Sequence, residues 1–211
     1  MSIKRTYNAS GVQYREATND SPATIEGYAI VFNSPSCIMG NDGGVPVREI
    51  IDREAVTRDL LDSSDIKMTL YHSNKRLLAR SKQGKGTLTY DIDGHGVRFS
   101  FPVPDTVDGD TAKELVRSGI IDGCSFAFTV PDVPGAVAVE HGKHEGNDTV
   151  FVRVCQISAI YDFTLTPDPA YESTDCAYKR DLNDYKAIIP ADTTAKSREN
   201  RALIMKIKQK Y

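Results

Sequence analysis

Three residues that lie far apart in the sequence supply the side chains of a serine hydrolase triad. His72 follows an apolar run, Ser125 lies in the Gly-Cys-Ser-Phe-Ala-Phe segment of residues 123–128, and Asp162 lies in a Tyr-Asp-Phe segment. A serine hydroxyl attacks a carbonyl when a histidine takes its proton, and a carboxylate orients that histidine. Each residue alone is more often structural, because a triad is defined by geometry and not by residue type. The elements that position the three residues therefore decide the interpretation.

The sequence before His72 has the hydrophobic pattern of a half-buried strand. Ile66, Met68 and Leu70 share one parity with His72, and mostly polar residues occupy the other parity. This period of two predicts a β-strand with one face towards the core. We therefore expect His72 to cap the inward face of this strand.

Cys124 is an alternative nucleophile beside Ser125, since a thiol paired with a histidine can also attack a carbonyl. Side chains alternate across a strand, so Cys124 shares a face with Phe126 and Phe128, whereas Ser125 points to the other face. We expect Cys124 to be buried in the core as a small apolar residue. The pattern favours Ser125 as the nucleophile.

Composition and charge exclude several classes of function. The chain has 211 residues and a formal net charge of -3, with its basic residues dispersed until the last segment, so we predict no nucleic-acid partner. No apolar run approaches the roughly 20 residues that cross a bilayer, and no signal segment follows Met1, so we predict a cytoplasmic protein without membrane contact. The four cysteines are widely spaced and the histidines are scattered, so we predict reduced thiols, no metal and no other cofactor.

The order of turn signals and strand patterns predicts a mainly β fold with peripheral α-helices, an α+β protein built on an antiparallel barrel or sandwich. Residues 86–103 have the alternation of a hairpin, and a capping box at Thr111 predicts a helix that ends before Gly119. Segments rich in Pro and Gly predict loops over residues 33–45 and 131–147.

The chain divides by composition into three predicted segments. Residues 1–22 are polar and form a flexible N-terminal segment or a late-joining edge strand. Residues 23–178 form the folded domain. Residues 179–211 form a polar linker and a charged C-terminal tail.

Several segments together resemble the prohead (capsid maturation) proteases of tailed phages. The segment around Ser125 lacks the second glycine of the Gly-x-Ser-x-Gly elbow, which disfavours an α/β-hydrolase. The resemblance to the prohead proteases extends from about residue 25 to residue 178. The matching segments are Gly-Tyr-Ala-Ile-Val-Phe at 27–32, Glu-Ile-Ile-Asp-Arg-Glu-Ala at 49–55, a strand-ending histidine at 72, Leu-Ala-Arg-Ser at 78–81, and a helix-then-strand run at 112–128.

The resemblance also implies the roles of the three candidate residues. The family has the order histidine, serine, acid, and its acidic residue precedes a Pro-Ala-Tyr turn, which residues 169–171 match here. Ser125 would then form an acyl-enzyme, His72 would act as general base and general acid, and Asp162 would hold the imidazole. Family members commonly have Glu at the third position, so the shorter Asp162 must lie closer to His72.

That family is in turn similar to herpesvirus assemblin, which implies an antiparallel β-barrel and a homodimer. The implied activity is that of a serine endopeptidase that cleaves scaffold sequence from the major capsid protein inside the immature procapsid, in the host cytoplasm. The protease would then digest itself, and the linker at residues 191–197 is the predicted cleavage site. The alternative is a catalytically silent capsid-assembly or scaffolding module on the same barrel.

Overall fold

Most residues of the described chain lie in β-strands. The computed structural model describes the backbone of residues 3–7 and all of residues 11–167. In chain order the strands are β1 (Ile3–Tyr7), β2 (Gln13–Arg15), β3 (Thr24–Val31), β4 (Pro35–Asp42), β5 (Val45–Ile51), β6 (Asp65–Leu70), β7 (Ser73–Lys82), β8 (Lys85–Gly86), β9 (Thr89–Ile92), β10 (Gly96–Pro102), β11 (Gly123–Thr129), β12 (Val137–His144), β13 (Asn147–Val154) and β14 (Ala159–Thr166). The helices are a 3₁₀ turn (Arg53–Ala55), α1 (Arg58–Ser63) and α2 (Val107–Arg117). The mainly β prediction with few helices is confirmed.

The chain forms two compact units, and the first unit contains two sheets. One sheet has six strands in the order β1-β11-β14-β6-β7-β8, and the other has four strands in the order β2-β3-β10-β9. Five phenylalanines with almost no exposed surface fill the core of this unit: Phe99, Phe101, Phe126, Phe128 and Phe163. The rings of Phe99 and Phe163, one from each sheet, have centroids 6.4 Å apart. Each such side chain stabilises the fold by about 1.5–3 kcal/mol.

The second unit contains a four-stranded sheet in the order β12-β13-β5-β4. The loops predicted over residues 33–45 and 131–147 are therefore wrong in part, since they contain β4 and β12. Both strands lie at the edges of this sheet and keep much of their surface in solvent, so they lack a clear apolar alternation. The Gly43–Gly44 pair forms a two-residue hairpin turn with positive φ at both positions.

The prediction of an antiparallel barrel needs correction. β14 pairs with β6 in parallel, and β13 pairs with β5 in parallel, so two of the three sheets are mixed. The pairings of the described strands leave all three sheets open, with two edges each. A parallel pair joins strands that are distant in the sequence, and local alternation carries no information about which distant strands become neighbours.

Helix α2 begins earlier than its predicted capping box. Thr106 is the N-cap residue, and its side chain accepts a hydrogen bond from the Gly109 N–H. Thr111 instead lies within the helix, where its hydroxyl donates to the Val107 carbonyl. The cap therefore lies five residues before the predicted one, and Gly119 follows the helix with a positive φ as expected.

The N-terminal segment contributes two edge strands. β1 pairs with β11 and β2 pairs with β3, so residues 3–7 and 13–15 join the sheets of the first unit at their edges. The predicted linker and tail at residues 179–211 lie outside the described residues. Within the described part of the chain, no helix has the length and apolarity needed to cross a membrane.

Candidate active site

The pleat of two adjacent strands places Ser125 and Asp162 on one face of the six-stranded sheet. Ser125 on β11 is the register partner of Thr164 on β14, and Ala127 is the partner of Asp162. Residues two apart on a strand share a face, so these four side chains point the same way. The strand order therefore brings the candidate nucleophile and the candidate acid together, although they are 37 residues apart in sequence.

His72 lies in a tight turn and not on the strand, so this part of the prediction was wrong. β6 ends at Leu70, which pairs with Ser73, and the two residues between them both have positive φ, 56° at Tyr71 and 53° at His72. This is the two-residue hairpin turn that normally favours Asn-Gly. Tyr-His lacks that signature, which explains why the pattern suggested a continuing strand. A left-handed residue that is not glycine costs about 1–3 kcal/mol, so the surroundings must hold it in place.

The three predicted side chains converge within hydrogen-bonding distance. The Nε2 atom of His72 lies 2.9 Å from the Ser125 Oγ, and the Nδ1 atom lies 2.9 Å from the Asp162 Oδ1. A carboxylate only accepts hydrogen bonds, so Nδ1 carries the hydrogen, and Nε2 of the neutral ring accepts the serine hydroxyl. This arrangement lets His72 remove a proton from Ser125 while Asp162 fixes the tautomer.

All three side chains are largely shielded from solvent. Ser125 has no exposed surface, and the side chains of His72 and Asp162 are 18% and 11% exposed. The hydrogen bonds within this group are therefore stronger than they would be in water.

Two backbone donors of the turn bind the strand that carries Asp162. The Tyr71 N–H donates to the Leu165 carbonyl at 3.1 Å, and the His72 N–H donates to the Thr164 Oγ1 at 2.8 Å. Strand alternation places Thr164 on the same face as Asp162, two residues away, but it gives no sign of the bond from Thr164 to the turn.

Cys124 is buried as the alternation predicts. Its side chain has no exposed surface, and this burial raises the pKa of the thiol far above its ordinary value. Only the thiolate is a competent nucleophile. The position and protonation of Cys124 therefore both disfavour the thiol mechanism.

Cys124→Ala is expected to leave the rate of peptide cleavage within about twofold of the wild-type rate, because a protonated, buried thiol makes no covalent contribution. The substitution removes one buried sulfur atom and is expected to lower the free energy of unfolding by about 1 kcal/mol. Steady-state cleavage assays and denaturant titration measure the two effects. A loss of cleavage comparable to that of a Ser125 variant, in a protein that stays folded, would overturn the preference for serine.

The described residues offer no group of three or more His, Cys, Asp or Glu side chains that could hold a metal ion.

Comparisons with known proteins identify the family. No curated protein sequence gives a significant match. Among solved structures, the bacteriophage T4 capsid assembly protease gp21 is similar with a TM-score of 0.40 and 11% identity, over 76% of this chain and 97% of that chain. The family model described as Caudovirus prohead serine protease matches residues 10–188, and the chain therefore belongs to the prohead serine proteases of tailed phages.

Proposed function

We propose that this family member is an active serine endopeptidase with Ser125 as nucleophile, His72 as general base and Asp162 as the acid that orients His72. The observation that carries the proposal is the unbroken chain of two 2.9 Å contacts from Asp162 through His72 to Ser125. Such a chain is an arrangement that activates a serine hydroxyl for nucleophilic attack at neutral pH.

The proposed reaction has two stages. His72 takes the hydroxyl proton as the Ser125 Oγ attacks the scissile carbonyl, and it then gives that proton to the leaving amine, which yields an acyl-enzyme. In the second stage His72 activates a water molecule, which releases the new carboxyl end and restores the serine. Asp162 remains a carboxylate throughout and stabilises the imidazolium that forms twice in the cycle.

The proposed substrate is the scaffold region of the major capsid protein, inside the immature procapsid in the host cytoplasm. Membership of the prohead protease family supports this choice. The homodimer implied by the family resemblance is part of the same proposal. A catalytically silent assembly module is the competing interpretation, and the replacement of the usual Glu by Asp162 was its main support. The 2.9 Å reach of Asp162 to His72 argues against that interpretation.

The direct test is co-expression of the chain with the major capsid protein of its own phage. We expect the capsid protein to appear as a shortened species, with its new terminus defined by mass spectrometry. Capsid protein of unchanged mass in assembled proheads that contain the wild-type chain would contradict the proposed activity.

Self-digestion is expected to shorten the purified active chain during incubation. Residues 191–197, in the predicted linker and outside the described residues, are the expected region of cleavage. Intact-mass measurement over time checks this expectation, and the Ser125→Ala protein is the control that must keep its full mass. A wild-type chain that processes capsid protein but stays at full length would contradict self-digestion without affecting the proposed endopeptidase.

A further inference from the structure

We propose that Thr164 is a positioning residue for the catalytic histidine, an inference that rests on the proposed function above. Its side-chain hydroxyl anchors the turn that carries His72 and thereby sets the position of the imidazole between Ser125 and Asp162.

The hydroxyl of Thr164 uses its full hydrogen-bonding capacity. Its oxygen accepts the His72 N–H at 2.8 Å and the Thr69 hydroxyl at 2.9 Å, and its own hydrogen donates to the Thr69 carbonyl at 3.0 Å. A threonine hydroxyl has one donor and two acceptor sites, so all of its hydrogen-bonding sites are occupied. Thr164 and Thr69 have no exposed surface, so water does not compete for these bonds.

The turn needs such an anchor because of its backbone conformation. Tyr71 and His72 both adopt positive φ, a conformation that side chains other than glycine rarely occupy. The hydrogen bond from the His72 N–H to Thr164 holds the backbone of His72. The two ring nitrogens of the same residue lie 2.9 Å from Ser125 and 2.9 Å from Asp162. A shift of the turn by about 1 Å would lengthen at least one of those contacts beyond hydrogen-bonding distance.

The sheet register explains why one threonine can serve this role. Ser125, Thr164 and Thr69 are register partners across β11, β14 and β6, and Asp162 precedes Thr164 by two residues on the same face. Thr164 therefore lies on β14 together with Asp162 and beside β11, which carries Ser125. Its hydroxyl binds the turn that carries His72. It couples the three elements that supply the triad.

The test compares Thr164→Val with Thr164→Ser and with Thr69→Val as a matched control. Valine keeps the shape of threonine and removes the acceptor for His72, so kcat should fall about 10- to 100-fold while KM stays within about twofold. Serine restores the hydroxyl and should return kcat to within about threefold of the wild-type value. Thr69→Val also removes a buried hydroxyl from this cluster but keeps the bond from Thr164 to His72, so its kcat should stay within about threefold.

The measurements separate a positioning role from a structural one. Thermal unfolding is recorded for every variant, and rates are expressed per folded molecule. Equal kcat values for Thr164→Val and Thr69→Val would overturn the proposal, as would a Thr164→Ser protein as slow as the valine variant. If the valine variant does not fold, Thr164→Ala replaces it, with the same expected loss of kcat and the same overturning result.

Failure of this inference is distinguishable from failure of the proposed function. A wild-type chain that cleaves nothing, or a Ser125→Ala chain that cleaves normally, refutes the function itself. If cleavage depends on Ser125 but the Thr164→Val protein keeps the wild-type kcat, only the role of Thr164 is refuted.

Discussion

Ser125→Ala is expected to lower the rate of capsid-protein cleavage by about 10⁶-fold, to a level that an endpoint assay reads as no cleavage. The substitution removes the only atom of the residue that can form the acyl-enzyme, the Oγ that lies 2.9 Å from the His72 Nε2. It leaves the β11 backbone and its pairings with β14 unchanged. Quantitative mass spectrometry of the capsid protein, after co-expression at matched protein levels, measures the loss.

Ser81→Ala is the matched control for this prediction. Ser81 is also a buried serine of the six-stranded sheet, on β7, and its hydroxyl donates to Tyr90. The control should fold and cleave at a rate within about threefold of wild type, because it leaves the triad intact. Cleavage that persists in the Ser125→Ala protein at the rate of the Ser81→Ala protein would contradict the assignment of the nucleophile.

The triad also predicts strong non-additivity. His72→Ala should cost about as much as Ser125→Ala, and the double variant should be no slower than either single variant, because the members of a triad act as a unit. Independent effects that multiply to a far larger loss in the double variant would indicate that the two residues serve separate steps.

Asp162→Asn is expected to lower kcat by about 10⁴-fold with little change in the fold. Asn is nearly isosteric with Asp, so the side chain still fills its buried position. Its amide can present an N–H to the His72 Nδ1, and Nε2 then carries the hydrogen and can no longer accept the serine proton. Steady-state kinetics on a capsid-protein peptide measure the loss, with thermal unfolding to verify the folded state.

Asp65→Asn provides the matched control for the acid. Asp65 lies on β6 of the same sheet and pairs with Arg80, which holds the pKa of the Asp65 carboxyl below its usual value. This carboxyl is half-exposed and its ion pair is with Arg80 and not with a triad residue, so its amide variant should keep kcat within about threefold. An Asp162→Asn protein with the same kcat as this control would contradict the role of Asp162 and would revive the catalytically silent interpretation.

The part of the site that follows from strand alternation was predictable from sequence. The pleat separates Ser125 from Cys124, and the structure buries the thiol beside Phe126 while the serine points to the face of Asp162. The roles of the three residues and their order were expectations from the family resemblance. The choice of face for Ser125 and Cys124 depends only on the period of two, which is a property of every strand.

The position of His72 was not predictable in this way. Alternation before Leu70 suggests a continuing strand, and the reversal at Tyr71 depends on contacts with β14 that are about 90 residues distant in sequence. The same limit explains why Thr164 was overlooked, since its role appears only when β6 and β14 are known to pair in parallel. Distant strand pairing is a property of the whole fold, and no local window contains it.

Covalent labelling tests directly whether Ser125 is the nucleophile of an active endopeptidase. A preparation that is cleaving capsid protein is treated with a serine-directed phosphonate, and the modified residue is located by peptide mass spectrometry. We expect one adduct on Ser125, loss of cleavage in proportion to labelling, and no adduct in the His72→Ala protein. An adduct on another residue that tracks the loss of cleavage, or full labelling of Ser125 with cleavage undiminished, would contradict that assignment.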